Sequence, residues 1–288
     1  MPVRRAGNVR APTPVRIGSQ PTLNAVTPTG AGSRKGACVP DHVPGRPHRS
    51  AGERPYRYGV AGLAHHLPHG VTAVAVTDER PVLVWHCAGP WLAISSGAYG
   101  GGLGVRSWVL NATVPPGYDR PDPAEHIQEV ATRLGLAGAG TGLLTAVDVR
   151  HVVSATSHGV TVQVTTGVSQ PVWAAGPDVA AVGCQPGTIN VVGWSPVRLS
   201  DAALVNAVAT VAEAKAQALG EAGVDGTGTC TDATVLLCPA DGTAEPYGGP
   251  RSRIGSLLAR TVHQAVSAGL RVPDPTIWPE PTTGRSFR

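Results

Sequence analysis

The sequence predicts an α+β fold, in which a mixed, mostly antiparallel sheet in a single domain is packed by a few long helices. Valine and glycine are abundant and aromatic residues make up only 4% of the chain, which favours a sheet over an all-helical bundle. Strand-like segments come in runs, with helical segments between and after them rather than in strict alternation. At 288 residues the chain is long enough to bury a sizeable core.

Three ranges differ in composition. Residues 1–57 are rich in Pro, Gly, Ser, Thr and Arg without apolar periodicity, so we expect a disordered basic tail. Residues 58–271 form the predicted folded domain, and 272–288 a loose Pro-rich C-terminal tail. Residues 1–60 contain 10 Lys+Arg and 2 Asp+Glu, whereas the remainder contains 13 and 17. The basic charge therefore belongs to the tail, which argues against nucleic-acid binding by the folded part.

Cysteine usage and hydropathy indicate the compartment. Five cysteines without a CxxC pair are typical of a reduced, intracellular chain rather than a disulfide scaffold. No apolar stretch is long enough to span a membrane, and no apolar region follows the early arginines as it would in a signal peptide. We therefore expect a cytoplasmic protein that has no membrane association.

Period-two alternation and short apolar runs predict the strands, and residues 143–155 are ambiguous. The predicted strands are 71–76, 81–87, 91–95, 105–114, 160–168, 188–194 and 233–238.

Helical spacing predicts three helices. Asp122 is expected to cap the first, over 123–134. Ser200 is expected to cap the second, which runs to about Ala222, and the third is expected to run from Ser252 to about Ala268. Gly223 and Gly269 are expected to end the second and third helices.

The second predicted helix carries Lys215, the only lysine after Lys35. At 100° per residue Lys215 lies within an apolar stripe, so its amine either reaches out to water or points into a site. Glu213 falls on the opposite side, where a solvated face is the simplest interpretation. The stripe is Leu204, Val208, Val211 and Leu219; the opposite side is Asn206, Thr210, Glu213 and Gln217.

Two glycine-rich segments are candidate binding loops. In GTGTCTDA, residues 226–233, glycines alternate with hydroxyl residues and Asp232 stands where the next strand begins. A tight turn with capping bonds is the alternative. SSGAYGGGLG, residues 95–104, is not a nucleotide phosphate loop, but its backbone amides could approach a bulky ligand or bind an oxyanion. No metal site is predicted, because the histidines of AHHLPHG lack helical spacing and accompanying carboxylates.

Taken in order, eight segments resemble the adenosylcobinamide amidohydrolase family, from about Val82 to Ala268. The EAK helix followed by TGTCTDA is the most specific part of the match. The segments are ISSGAYGGGL (94–103), VLNATVP (109–115), GLLTA (142–146), VTTGVSQP (164–171), GTINVV (187–192), LSDAALVNAVATVAEAKAQAL (199–219), GTGTCTDATVL (226–236) and YGGPRSRIG (247–255).

This resemblance implies that residues 58–271 form a catalytic domain. Members of the family cleave the amide between the aminopropanol arm and the corrin ring, releasing adenosylcobyric acid and 1-amino-2-propanol for cobamide salvage. The implied partner is a corrinoid, whose cobalt belongs to the substrate, so no separate cofactor is expected. The chain departs from the family pattern at Ala212, where a threonine is usual, and at Cys230, where a smaller residue is usual. The oligomeric state is not predicted.

Amide cleavage requires a nucleophile, oxyanion stabilisation and a proton for the leaving amine. We expect Asp232 to act as the general base, on water or on a threonine hydroxyl. The remaining predicted site residues assist this step or bind the substrate. Thr229 or Thr231 is the possible nucleophile, Lys215 or Glu213 the proton donor, Gly100, Gly101 and Gly102 or Gly226–Gly228 the oxyanion site, and Ser95, Ser96, Asn111 and Asn190 the further substrate contacts.

Two other functions fit the same residues. The chain could bind corrinoids without catalysis, which the departure at Ala212 suggests, or it could hydrolyse another bulky amide.

Overall fold

The structure, a computed structural model, describes residues 56–58 (backbone only), 67–176 and 187–272, so most of both predicted tails lies outside it. These ranges contain nine strands, three α-helices and one 3-10 helix, Val149–His151, and none of the helices is long and apolar enough to cross a bilayer. The strands are β1 (Tyr56–Tyr58), β2 (Val71–Thr77), β3 (Pro81–Ser95), β4 (Gly102–Thr113), β5 (Gly140–Thr145), β6 (Val153–Ser157), β7 (Val160–Thr166), β8 (Ile189–Trp194) and β9 (Ala233–Pro239). The helices are α1 (Pro123–Arg133), α2 (Asp201–Glu221) and α3 (Arg253–Gly269).

All nine strands belong to one mixed sheet. The pairs β4–β5 and β8–β9 are parallel. The other pairs, β1–β2, β2–β3, β3–β4, β3–β9, β6–β7 and β7–β8, are antiparallel. The predicted α+β class with a mixed, mostly antiparallel sheet is thus confirmed.

Strand β3 determines how the sheet is divided. The sequence predicted two strands here, 81–87 and 91–95, but they form one strand whose register shifts between His86 and Trp91. Before this shift β3 pairs with β2, and after it with β9, while β4 runs along its other side. A bulge of this kind bends a strand and increases its twist. The two halves of β3 therefore belong to different parts of the sheet.

Three apolar cores define the layers. Helices α2 and α3 cover one face of β7, β8 and β9, where Leu204 is fully buried. The opposite face of β8 and β9 meets β3, β4 and β5, and there the rings of Trp85 and Trp194 lie 6.0 Å apart. The other face of β3 and β4 packs against α1, with Leu110 and Ile127 at the contact. The single sheet thus forms two layers that pack against each other, and the order of layers through the domain is helix, sheet, sheet, helix.

The predicted cap of α2 is confirmed, and α3, which was predicted to begin at Ser252, has a serine cap of the same kind at that residue. Ser200 Oγ accepts a hydrogen bond from Ala203 N, and Ser252 Oγ accepts one from Gly255 N, both at 3.1 Å. Asp122 precedes α1 as expected, but its side chain makes no capping bond. The predicted N-cap position is thus correct, but both carboxylate oxygens accept hydrogen bonds from Arg120 and none from a helix amide.

The predicted faces of α2 are partly correct. Leu204, Val211 and Leu219 are buried, as the stripe required. Thr210 was expected on the solvated side, yet it is 1% exposed. Its hydroxyl donates a hydrogen bond to Gly248 O at 2.9 Å, because the segment before α3 covers this side of the helix. Periodicity along one helix cannot predict contact with such a segment.

The cysteines differ from the expectation of a wholly reduced chain. Cys87 and Cys238 are buried free thiols, and burial raises the pKa of Cys87 to about 12 and raises that of Cys238 as well. Cys230, in contrast, is disulfide-bonded. The expectation was therefore wrong for the cysteine that lies within the predicted site loop.

We predict that Gly140→Ala destabilises the domain, because a Cβ there would lie 2.0 Å from two ring carbons of Trp108. Overpacking of this kind costs about 1–3 kcal/mol of the free energy of unfolding. Gly117→Ala is the matched control, since a Cβ at residue 117 meets nothing within 4 Å. Urea unfolding of both variants measures the difference, and equal stabilities would contradict the packing described.

Candidate active site

The carboxylate of Asp232 lies at the centre of the candidate site, one residue before β9. Its Oδ1 accepts hydrogen bonds from Thr229 Oγ1 at 2.5 Å and from Ile189 N at 2.8 Å. Its Oδ2 accepts from Thr229 N at 3.1 Å and from Lys215 Nζ. Four donors from α2, β8 and the 226–231 loop thus converge on one carboxylate.

Lys215 points into the site rather than out to water. Its side chain is 13% exposed and forms an ion pair with Asp232, whose side chain is 14% exposed. Unpaired buried charges are costly, so each group makes the burial of the other tolerable. Glu213 is exposed, since residues two apart on a helix point in different directions. The structure therefore brings Lys215, and not Glu213, to Asp232.

Gly228 allows this cluster to form. A Cβ at this position would lie 2.4 Å from both Lys215 Nζ and Asp232 Oδ2. Real side chains essentially never make such close contacts, so any larger residue would displace the ion pair. Residue 228 therefore has to be glycine, because the backbone at this position passes close to two charged groups.

The 226–229 loop is held by residues 172–174. Val172 N donates to Gly228 O at 2.8 Å, and Thr227 N donates to Val172 O at 2.9 Å. The Trp173 indole N–H donates to Asp225 Oδ1 at 3.0 Å, although 56% of this residue is exposed. An anchored but exposed tryptophan therefore borders the charged cluster.

Thr231 belongs to a different surface from Asp232. Its Oγ1 lies 2.8 Å from Thr188 Oγ1 and donates to Gly187 O at 3.2 Å. Thr231 lies in the turn before β9, and its hydrogen-bond partners are different from those of Asp232. Thr188, Thr231 and Ala233 line a cavity of about 430 Å³. The remaining lining residues are Ser96, Ala98, Val114, Tyr118, Arg120, Pro123, Leu143, Leu144, Thr145 and Ala146.

The first glycine-rich loop divides into a part at the cavity and a part away from it. Ser96 lines the cavity, and its Oγ accepts a hydrogen bond from Thr234 N at 2.9 Å. Ser95 is 6% exposed and its Oγ lies 2.7 Å from Thr141 Oγ1, which anchors the loop. Residues 100–102, predicted as an oxyanion site, are not among the cavity lining, and Gly100 O accepts hydrogen bonds from the Arg106 guanidinium.

Asn111 and Asn190 lie in the interior, each 1% exposed. Asn190 Nδ2 donates to Asn111 Oδ1 at 3.0 Å and to Leu144 O at 2.9 Å, while Asn111 Nδ2 donates to Thr165 Oγ1 at 3.1 Å. These bonds join β4, β5, β7 and β8. The two amides, predicted as contacts for the substrate, thus occupy positions where they hold the strands together.

Charges at the cavity wall are paired. Arg120 donates to Asp122 and also to Glu129, with distances of 2.9–3.2 Å. Hydrogen bonds from Arg120 lower the pKa of Asp122 from 3.8 to about 2, and they also lower the pKa of Glu129. Beside them the ring of Tyr118 stacks on His126 at 5.4 Å, and burial lowers the pKa of His126. Arg120 is therefore not a free cation.

Sequence reasoning missed four residues of this region: Tyr118, Arg120, Trp173 and Thr188. The sequence did contain a signal for Thr188, because this residue begins a predicted strand and Thr231 lies just before another one. Tyr118 and Arg120 lie in an irregular segment, and Trp173 follows one of the segments that carried the resemblance. Their positions depend on long-range packing, which local periodicity does not encode.

Metal binding has no visible basis in the described part of the chain. Within it there is no group of three or more His, Cys, Asp or Glu side chains that could hold an ion. His69 is exposed in a turn, and His65 and His66 lie outside the described residues.

Comparison with known proteins supplies an independent view. The family model described as adenosylcobinamide amidohydrolase matches residues 64–275. A protein of Methanosarcina mazei named adenosylcobinamide amidohydrolase is 33% identical over 64% of this chain and 92% of its own length. A Halobacterium salinarum protein of the same name is 33% identical over 65% of this chain and 84% of its own.

Among solved structures, a Burkholderia sp. beta-aminopeptidase shares 15% identity with this chain. The match covers 67% of this chain and 80% of that one, with a TM-score of 0.34. A likeness this low supports no conclusion.

We predict that the carboxyl group of Asp122 titrates at about pH 2 rather than at 3.8. Because its pKa is lowered in the folded state, the pairing with Arg120 is complete above pH 3.8 and is lost as the pH falls through about 2. Carboxyl NMR shifts measure this midpoint. Arg120→Gln should move it upward towards 3.8, and an unchanged midpoint in that variant would exclude Arg120 as the cause.

Proposed function

The chain belongs to the adenosylcobinamide amidohydrolase family, and we propose that it hydrolyses the amide between the aminopropanol arm and the corrin ring of adenosylcobinamide. The products would be adenosylcobyric acid and 1-amino-2-propanol, and the cobalt ion is part of the substrate. The observation that carries the proposal is the 2.5 Å bond between Thr229 Oγ1 and Asp232 Oδ1, with Lys215 against the same carboxylate. This arrangement couples a hydroxyl nucleophile to a base and a cation.

In the first step the Thr229 hydroxyl oxygen attacks the carbonyl carbon of the amide, and its proton passes to Asp232. Threonine is a weak nucleophile at its ordinary pKa and needs an adjacent base within hydrogen-bond reach. Asp232 meets that requirement for Thr229. Thr231, in contrast, has Thr188 and the Gly187 carbonyl as its hydrogen-bond partners, which supports Thr229 as the nucleophile.

In the second step the tetrahedral intermediate collapses and the C–N bond breaks. The leaving amine takes the proton from Asp232, and the acyl group remains on Thr229 as an ester. Water then attacks this ester while Asp232 accepts a proton from it, and the proton returns to Thr229 as the acid product leaves. Lys215 offsets the charge on Asp232 whenever that carboxylate is ionised.

The oxyanion needs hydrogen-bond donors close to Thr229. In the 226–228 loop, Gly226 N donates to Val224 O and Thr227 N donates to Val172 O, so both amides are engaged. We therefore propose that the Gly228 N–H donates a hydrogen bond to the oxyanion and that the Lys215 ammonium is the second donor. Both belong to the cluster around Asp232, unlike residues 100–102.

We predict that Asp232→Asn lowers kcat for adenosylcobinamide by about 10²–10⁴-fold, because the amide cannot accept the proton. Thr229→Ala should cause a loss of similar size, and Thr231→Ala a smaller one. Release of 1-amino-2-propanol measures the rate, with circular dichroism to verify folding. Asp241→Asn, at an exposed carboxylate just after β9, is the matched control and should keep full activity.

The same assay separates the other functions. Full turnover by folded Asp232→Asn would contradict the mechanism. Corrinoid binding by the wild type without release of amine would indicate a non-catalytic binding protein, and cleavage of other amides alone would indicate a different amidase.

We also predict that Gly228→Ala abolishes turnover while the domain stays folded, because the new methyl group separates Lys215 from Asp232. Gly220→Ala is the matched control in α2, where a Cβ meets nothing within 4 Å. It should retain activity and gain up to about 1 kcal/mol of stability from helix propensity. Normal kcat in Gly228→Ala would show that the ion pair is not needed for the reaction.

A further inference from the structure

We propose that the 430 Å³ cavity beside Thr231 binds the adenosyl group of the substrate. In chemical terms the cavity is a subsite for a neutral nucleoside group, and the proposal rests on the proposed function. A cavity of this size lies in the range of small-molecule pockets, about 300–1,000 Å³. Its described lining is mostly aliphatic, with hydroxyl groups from Ser96, Thr145, Thr188 and Thr231 and with Tyr118 and Arg120 as the other polar residues.

The charges of the lining favour a neutral ligand. Among the lining residues that the structure describes, only Arg120 and Tyr118 are ionisable, and the Arg120 guanidinium is bound to both Asp122 and Glu129. An anionic group, such as a phosphate, would have to compete with two carboxylates for this cation. A cationic ligand would face the Arg120 guanidinium, and these described lining residues offer it no carboxylate. The cavity therefore suits an uncharged molecule with an apolar body.

Adenosylcobinamide offers three parts that could enter. The corrin ring with its peripheral amide side chains is several times larger than a nucleoside and does not fit. The aminopropanol arm is joined to the ring by a neutral amide and has only five non-hydrogen atoms, which would leave most of the cavity empty. The adenosyl group is uncharged and larger, with a flat adenine base and a ribose that carries hydroxyl groups. It matches both the aliphatic walls and the lining hydroxyl groups of Ser96, Thr188 and Thr231.

The position of the cavity relates it to the chemistry. Thr231 lines the cavity, and the two bonded residues of the charged cluster, Thr229 and Asp232, lie two positions before it and one position after it in the chain. One substrate molecule can thus place its adenosyl group in the cavity while its amide reaches Thr229. Binding energy from a remote part of the substrate would then serve to position the reacting bond.

The test compares adenosylcobinamide with cyanocobinamide, which carries cyanide in place of the adenosyl group. Ala98→Phe places a ring at the cavity wall, and Ala124→Phe is the matched control on the exposed side of α1. We expect Ala98→Phe to raise the dissociation constant of adenosylcobinamide about tenfold and that of cyanocobinamide less than about twofold. Ala124→Phe should change neither. Ala98→Leu provides a smaller step if Ala98→Phe does not fold.

Equilibrium dialysis against wild-type and Asp232→Asn protein gives these constants whether or not hydrolysis occurs. An equal effect of Ala98→Phe on both corrinoids, or no effect on either, would overturn the adenosyl assignment while leaving the amidase proposal intact. Selective weakening of the adenosyl form, without any amine release by the wild type, would support the subsite and overturn the proposed reaction.

Discussion

The carboxylate of Asp232 is an almost buried negative charge, and the site is arranged to neutralise it. Lys215 from α2, the Thr229 hydroxyl and amide from the loop, and the Ile189 amide from β8 all donate to it. Removing one partner of a buried ion pair costs about 3–5 kcal/mol, because the other charge is left uncompensated. One carboxylate thereby fixes the relative positions of a helix, a strand and a loop. Those same bonds hold a hydroxyl group against a base.

The segment before β9 belongs to two features of the structure, the charged cluster and the cavity. Asp232 belongs with α2 in the helix-covered layer, whereas Thr231 and Ala233 belong with the cavity. Residues at or just after the ends of β3 and β5, among them Ser96 and Thr145, line the cavity. The short segment before β9 thus contributes to the charged cluster and to the cavity at adjacent positions.

Part of this arrangement could be predicted from the sequence, since it follows from local patterns. Ser200 was predicted as a cap and Ser252 as the start of a helix, and the 3.6-residue period already separated Lys215 from Glu213. The partner of Lys215 could not be deduced, because Asp232 lies 17 residues away across a turn. The pairing of Thr188 with Thr231, 43 residues apart, and the burial of Asn111 against Asn190 likewise depend on strand order. The Asp122 side chain makes no capping bond because it pairs with Arg120, and helix propensities do not predict such a competing ion pair.

If Asp232 directs the Thr229 hydroxyl to the amide as proposed, the reaction passes through an ester on Thr229. Rapid acid quenching during turnover of adenosylcobinamide, followed by proteolysis and mass spectrometry, detects such an ester. We expect the cobyric acyl group on the peptide that contains Thr229, and fragmentation should assign it to that residue. Attachment to Thr231, or efficient turnover by a folded Thr229→Ala protein, would contradict this mechanism.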